Sequence, residues 1–375
     1  MSRLHVSLQK QGVGSSFGAA FDWLGVQRAW TRTRGSPDVV IAIVGEGVQA
    51  DHPLLGPNIK QGLTYASDPS DSRELAGTHA AGVVAGRQSE VDGFSGIAPG
   101  ARLLPVRFAT RGTEALDLAH ALEYAVEMGA CIINVAYGAD VSATGVQRAI
   151  QYAATRNVLV VCSAGDASAV TVPEDAAPNI LRVVPVDEQC QPVSDRPAAA
   201  AHVAAPAFAR VPRWKDSGHT VLQGPALGAP YVSGCAALVK AVNPGWGYHE
   251  IKEHLLASGT PQPQLAGHCL GGLLNVGDAV TGPFEHPDDV RSLSWSALND
   301  AQLQWKLRYR SALCVNAVAL YRPHGDEHWR ELGFARAGTL RMTVPAAALR
   351  RSSGTLRLGC RESNFHADDI ELTIR

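Results

Sequence analysis

A short list of residues has the types and surroundings that chemistry needs. "LQGPALGAPYVSGCAALVK" (222–240) is a glycine-rich turn followed by a small-residue helix. It reads like the start of a helix that in many proteins carries a serine nucleophile, yet the expected hydroxyl position holds Ala226. "AGTHAAGVVAG" carries His79, three positions after Ala76 and so about one helical turn on. His79 reads as a buried, hydrogen-bonded histidine. Glu46 follows Gly45 at the end of an apolar run, where strand alternation points it away from Gly45's direction. Asp166 ends "VVCSAGD". It either caps the next turn through local backbone N–H groups or meets a ligand's amide or cationic group. Cys162 and Cys235 read as buried apolar residues, with no histidine at a matching base position. His324 and His328 flank "GDE" in a loop, a weak basis for zinc, and no metal or other cofactor is expected.

The elements that position these groups follow from the apolar pattern. "DVVIAIVGEG", "ARLLPVRF", "CIINVAYG" and "VLVVCSAGD" are near-continuous apolar strands. Between them lie the helical patterns "GTHAAGVVAG", "EALDLAHALEYAVEMG" with Gly129 as a C-cap, and "TGVQRAIQYAATRN". Such alternation predicts an α/β fold with a parallel sheet flanked by helices. After about Ala279 the pattern becomes strand-like, in "QLQWKLRYR", "VNAVALYR", "WRELGFA", "TLRMTVP", "TLRLGCR" and "DIELTIR". Leu340, Met342 and Val344 share one face, as do Ile370, Leu372 and Ile374. The expectation is a domain over 1–282 and a C-terminal all-β domain over 283–375, a sandwich or jelly roll, with "TGPFEHPDD" (281–289) as linker.

Composition sets the outer limits. The chain has 375 residues, a net charge of -2 and 18% charged residues, a balance that suggests neither nucleic acid nor an anionic membrane surface as partner. The apolar runs are strand-sized and too short to span a bilayer. The opening "MSRLHVSLQKQG" lacks the apolar core of a signal peptide. Seven cysteines without a C-x-x-C pair read as reduced thiols, which gives a cytoplasmic expectation.

Taken in order, the motifs resemble the subtilisin-like serine protease family over roughly residues 20–280. "VVIAIVGEGVQADHP" resembles the first strand, "AGTHAAGVVAG" the His-Gly-Thr-His-Val-Ala-Gly motif, and "GIAPGARLLPVRF" the stretch that follows it. "IINVAYG" resembles the strand lining the substrate cleft, and "VVCSAGD" the strand carrying the oxyanion asparagine. "HVAAP", "GPALGAPYVSGCAALV" and "NPGWGYHEIKEHLLASG" complete the series. The resemblance implies a catalytic Asp, His and Ser at positions held here by Gly45, Ala76 and Ala226, with Asp166 at the oxyanion position; Pro225 and Gly228 depart as well. A serine hydrolase needs a hydroxyl, a base and a carboxylate that orients the base. The expectation is therefore a catalytically dead pseudoprotease, not an enzyme. Leu54 stands where the family often has a calcium-ligating Asp.

The resemblance also implies peptide binding by strand addition between two edges, which needs main-chain groups and not the triad. One edge is residues 110–114, with Arg111, Gly112 and Thr113; the other is 134–138, with Ala136, Tyr137 and Gly138. Asp166 is expected near the floor. The expected partner is a peptide or protein segment, in a cytoplasmic peptide-modification pathway where the chain acts as scaffold or chaperone, alone or as a homo- or hetero-oligomer. The alternatives are an enzyme with a repurposed site built on Asp166, Glu46 or His79, and an assembly protein acting through its β domain.

Overall fold

The structure is a computed structural model. It describes residues 16–64, 75–89, 93–107, 114–136, 143–164, 177–193, 201–213, 217–265 and 268–282, then residue 328 and the strand segments named below. The chain enters through helices α1 (Ser16–Trp23) and α2 (Val26–Trp30) and then forms β1 (Val40–Gly45). There follow β2 (Leu63–Thr64), α3 (Leu75–Ala85), β3 (Arg102–Arg107), α4 (Glu114–Glu127), β4 (Ile132–Val135), α5 (Thr144–Thr155) and β5 (Leu159–Ser163). β6 (Ile180–Val186), β7 (Val203–Pro206) and a hairpin of β8 (Phe208–Pro212) and β9 (His219–Gln223) precede α6 (Gly228–Val242), α7 (Tyr248–Ser258) and α8 (Val276–Thr281).

Seven strands form one sheet in the order β2-β3-β1-β4-β5-β6-β7, and every pairing in it is parallel. A parallel sheet needs cover on both faces, which is why its strands are apolar along their whole length. All six residues of β1 are buried. Alternation sends Ile41 and Ile43 into one core with α3 and α6, and Val40, Ala42 and Val44 into the other with α4 and α5. The expected parallel α/β fold is thus the observed one.

Helix ends follow local chemistry. α4 stops where Gly129, at φ 82°, lets its N–H reach Val126 O (3.0 Å) and the Ala130 N–H reach Ala125 O (3.0 Å). That pairing satisfies carbonyls the helix would leave idle. Asn157, at φ 59°, ends α5 in the same way, with Val158 N–H on Ala153 O. α6 is so apolar that Pro225–Val242 is long and apolar enough to cross a membrane, which the strand-sized runs had not suggested. Here residues Gly228–Val239 are all buried in the protein's own core.

Beyond residue 292 the strand segments are β10 (Leu293–Asn299), β11 (Gln302–Leu307), β12 (Asn316–Pro323), β13 (Arg330–Arg336), β14 (Arg341–Pro345), β15 (Gly354–Cys360), β16 (Ser363–His366) and β17 (Ile370–Leu372). They pair antiparallel, as β10-β11-β14 and as β13-β12-β15-β16 with β17 on β15. The two apolar faces read at 340–344 and 370–374 concern side chains outside the described residues, as does His324; His328 is exposed.

One close approach fixes α3 against the end of β1. A Cβ built on Gly77 would lie 2.0 Å from the carbonyl oxygen of Gly47 and 3.3 Å from Val48. Neither backbone can yield without moving a whole element. Gly77→Ala is therefore expected to lower stability by about 2–4 kcal/mol, despite alanine's better helix propensity of about 1 kcal/mol. Urea unfolding of the two proteins checks this, and an unchanged or higher midpoint would show that α3 rides free of β1.

Candidate active face at the carboxyl ends of the strands

The sheet order runs outward in both directions from β1, with β3 and β2 on one side and β4 to β7 on the other. In open α/β sheets such a reversal leaves a crevice at the carboxyl ends of the strands, where ligands bind. Gly45 is the last residue of β1, buried, and lies on the α3/α6 side by alternation with Ile41 and Ile43. Its missing Cβ would stand 3.5 Å from Ala136 Cβ, an ordinary contact. Ala136 is 5% exposed and directly follows β4. The loop after β1 is held to α3 by Gln49 N–H donating to Thr78 Oγ1 (2.8 Å). Further along that loop, buried His52 accepts from Leu54 N–H at Nδ1 (3.1 Å) and contacts Arg213 O through Nε2 (3.2 Å). Leu54 is buried as well.

Ala226 sits in the 3-10 turn Pro225–Leu227 that leads into α6, and it is exposed. Ser163 Oγ, at the end of β5, donates to the Pro225 carbonyl (3.3 Å), which ties this turn to the sheet. The turn also packs against α3, the helix that carries half-buried Ala76. Gly45, Ala76, Ala136 and Ala226 thus come from elements packed on one another at one end of the sheet. Their side chains are hydrogen or methyl. Arg111, Gly112, Thr113, Tyr137, Gly138 and Asp166 lie outside the described residues.

Two details differ from the expected peptide edge or were missed by it. The Ala136 N–H donates to Val44 O (2.9 Å), so it is used within the sheet. Arg107, buried at the end of β3, is the register partner of Gly45 and shares its face. The sequence signal for it is a lone cation closing the apolar strand "LLPVRF".

The ionisable groups near these positions are few among the described residues. Glu46 is half-buried just beyond β1. His79 is buried on α3, as expected, and desolvation pulls its pKa down to about 4. It is neutral at pH 7 and a weak base. Cys162 and Cys235 are buried and free; burial pushes the Cys162 thiol up to about 11 and Cys235 further upward. Neither forms a thiolate near neutral pH.

Residues 36–297 match the model of the subtilase family. The chain belongs to the subtilase family. It is 32% identical over 222 residues to the thermophilic serine proteinase of Bacillus sp. (strain AK1), a match covering 56% of this chain and 54% of that one. It therefore spans about half the length of that relative. Thermitase of Thermoactinomyces vulgaris is 31% identical over 219 residues, covering 56% and 78%. Among solved structures, the prenylagaramide maturation protease PagA superposes with a TM-score of 0.54 at 30% identity, over 69% of this chain and 98% of that one.

These relatives correct one expectation. The argument from Gly45, Ala76 and Ala226 to a chain that is no enzyme is overturned: the family is that of subtilases, and the named relatives include a serine proteinase and a maturation protease, which points toward a protease. The physical reason is one of scope. Residue types at matched positions speak only of the groups those positions supply. They do not describe what the rest of the face contributes.

The depressed His79 gives a signed pH prediction. Its folded pKa lies below the ordinary histidine value of 6.5, so the unfolded chain takes up this proton first as pH falls. The contribution is full above about pH 6.5 and is lost progressively toward pH 4, by up to about 3 kcal/mol. Urea midpoints of wild type and His79→Gln between pH 7.5 and 4.5 should diverge in slope, with the variant flatter. Parallel slopes would show that His79 titrates normally.

Proposed function

We propose that this subtilase engages an extended peptide or protein segment across the carboxyl ends of β1, β4 and β5. The observation that carries the reading is the exposed turn at Ala226, packed on the helix of Ala76 and tied to the end of β5, opposite a floor of Gly45 and Ala136. Small side chains leave room for a bound backbone, and the Ala136 carbonyl supplies an acceptor. Residues 110–114 and 136–138 are the proposed flanking edges, with Asp166 near the floor favouring a ligand that offers a donor or a positive charge there. Strand addition of this kind draws affinity from main-chain hydrogen bonds and specificity from the pockets beside them.

The named relatives support hydrolysis of the bound segment as the activity. Glycine at 45 and alanine at 76 and 226 supply no carboxylate, imidazole or hydroxyl, so such chemistry draws on other groups of the same face. Glu46 and His79 are candidates by position, and His79, with a pKa about 4, suits hydrogen bonding better than proton abstraction at pH 7. PagA is named a maturation protease, which supports a peptide undergoing maturation as the ligand class. A cytoplasmic setting is proposed from the cysteine pattern alone. Residues 283–375 are proposed as a separate β unit of sandwich or jelly-roll type, joined by 281–289.

The test separates recognition from turnover. An immobilised library of ten-residue peptides is probed with the full chain, and each bound peptide is then incubated in solution and read by mass spectrometry for cleavage. N-methylation of successive amides in a bound peptide should weaken binding on alternate residues, as a one-sided edge contact requires. Ala226→Trp, at an exposed position, should lower affinity at least about tenfold with an unchanged thermal midpoint. Binding indifferent to both N-methylation and Ala226→Trp would place the ligand elsewhere on the molecule.

A further inference from the structure

Directly behind this face, one buried polar pair links the strand that carries Ala136 to the helix that carries Ala226. Asn134 lies in β4, in register with Ile43 of β1, and it shares its face with Ile132 and Ala136. Ser233 lies in α6. Its Oγ stands 2.9 Å from Asn134 Oδ1 and 3.1 Å from the carbonyl oxygen of Ala229, one turn nearer the start of the helix. Both side chains are fully buried.

A hydroxyl has one proton, so Ser233 can donate to only one of these two acceptors. With the amide in that orientation, Asn134 Nδ2 has no acceptor among the described residues, and the trio makes one hydrogen bond at a time. Exchanging the amide oxygen and nitrogen by a half-turn of the terminal torsion changes the count. Nδ2 then donates to Ser233 Oγ, and Ser233 donates to Ala229 O, so two bonds form where one did. A buried donor left idle is more costly than a carbonyl oxygen left idle, and the assignment of amide atoms follows the hydrogen-bond network.

We infer that the Asn134 amide stands in this second orientation, and that the relay Asn134 Nδ2–Ser233 Oγ–Ala229 O is a tether between the β4 edge and the opening turns of α6. Its consequence for recognition rests on the peptide-binding reading. Ala136 is two residues beyond Asn134, and Ala229 is three residues beyond Ala226. The tether therefore fixes the two sides of the proposed ligand face relative to each other. Asn134 and Ser233 are positioning residues: neither touches a ligand. Apolar packing between α6 and β4 holds the elements together, while a directional relay in a low-dielectric core specifies one placement.

The experiment uses the free full chain, so its outcome does not depend on whether any peptide binds. Amide hydrogen exchange is measured in wild type, Ser233→Ala, Asn134→Leu and the double variant, alongside urea unfolding. Ser233→Ala leaves the buried Asn134 amide unpaired and should shift the unfolding equilibrium about fivefold to tenfold toward the unfolded state, whereas Asn134→Leu, in which Ser233 Oγ keeps its bond to Ala229 O, should shift it less. The double variant replaces the pair by apolar groups and should recover most of that loss. Exchange at Ala136, whose N–H donates to Val44 O, and at Val232 and Ser233 should nevertheless stay faster by about fivefold in the double variant, with β6 amides unchanged. Wild-type exchange at both segments in the double variant would overturn the tether and leave a pair that merely fills space. So would unchanged stability in Ser233→Ala. Failure of peptide binding with these exchange results intact would count against the functional reading alone.

Discussion

Everything at the candidate face depends on a parallel sheet that must be covered on both sides. Main-chain groups of β1 are used by β3 and β4, so its side chains have no outlet except the two helical layers. α3 and α6 can close one layer only because glycine permits contact. Gly77 meets the Gly47 carbonyl, and a Cβ on Gly234 of α6 would stand 2.6 Å from Ile97 Cβ. The same closeness that completes the core brings Ala76 and the Ala226 turn over the carboxyl ends of the strands. The face is thus a by-product of covering the sheet.

This origin explains which parts of the molecule were legible in the sequence. β1, β3, β4 and β5 announced themselves because strands buried on both faces must be apolar throughout, and α4 because Gly129 closes it. β6 to β9 were not read as strands. β6 is fully buried yet carries Arg182 and Pro185 within "ILRVVPV", which breaks up the apolar run. β9, "HTVLQ", is half-buried along most of its length and has no clean alternation. α6 was read correctly as a small-residue helix, but its apolarity matches that of a membrane span, and only its place between α3 and the sheet shows why.

For the candidate site, the sequence spoke to the placement of elements more than to chemistry. Motif order located residues 45, 76, 136 and 226, and packing does bring their elements together. The use of the Ala136 N–H could not be read from residue types, because it depends on where β4 ends relative to Val44. Arg107 and the Asn134–Ser233 relay escaped for a related reason. A single polar residue in an apolar run acquires meaning only when the register of a neighbouring element shows what it faces.

Recognition and chemistry draw on different parts of such a protein. Holding an extended peptide uses main-chain groups whose directions are set by the sheet and by the packing of α6 and α3, quantities spread over many residues and resistant to single substitutions. Bond cleavage uses a few side chains, each of which can be exchanged without disturbing the fold, since Ala226 is exposed and the Gly45 site would accept a Cβ at ordinary contact distance. A fold therefore reports on function through its sites and not by its outline. In this subtilase the outline is that of proteinases, while the groups at or beside its strand ends among the described residues are mainly backbone, with a buried guanidinium on β3 and a neutral imidazole on α3. The constraint this places on mechanism is direct. Any reaction at this face would use groups held by the same packing that orients the proposed peptide edge, so the geometry of the α6–β4 contact would bear on both binding and chemistry.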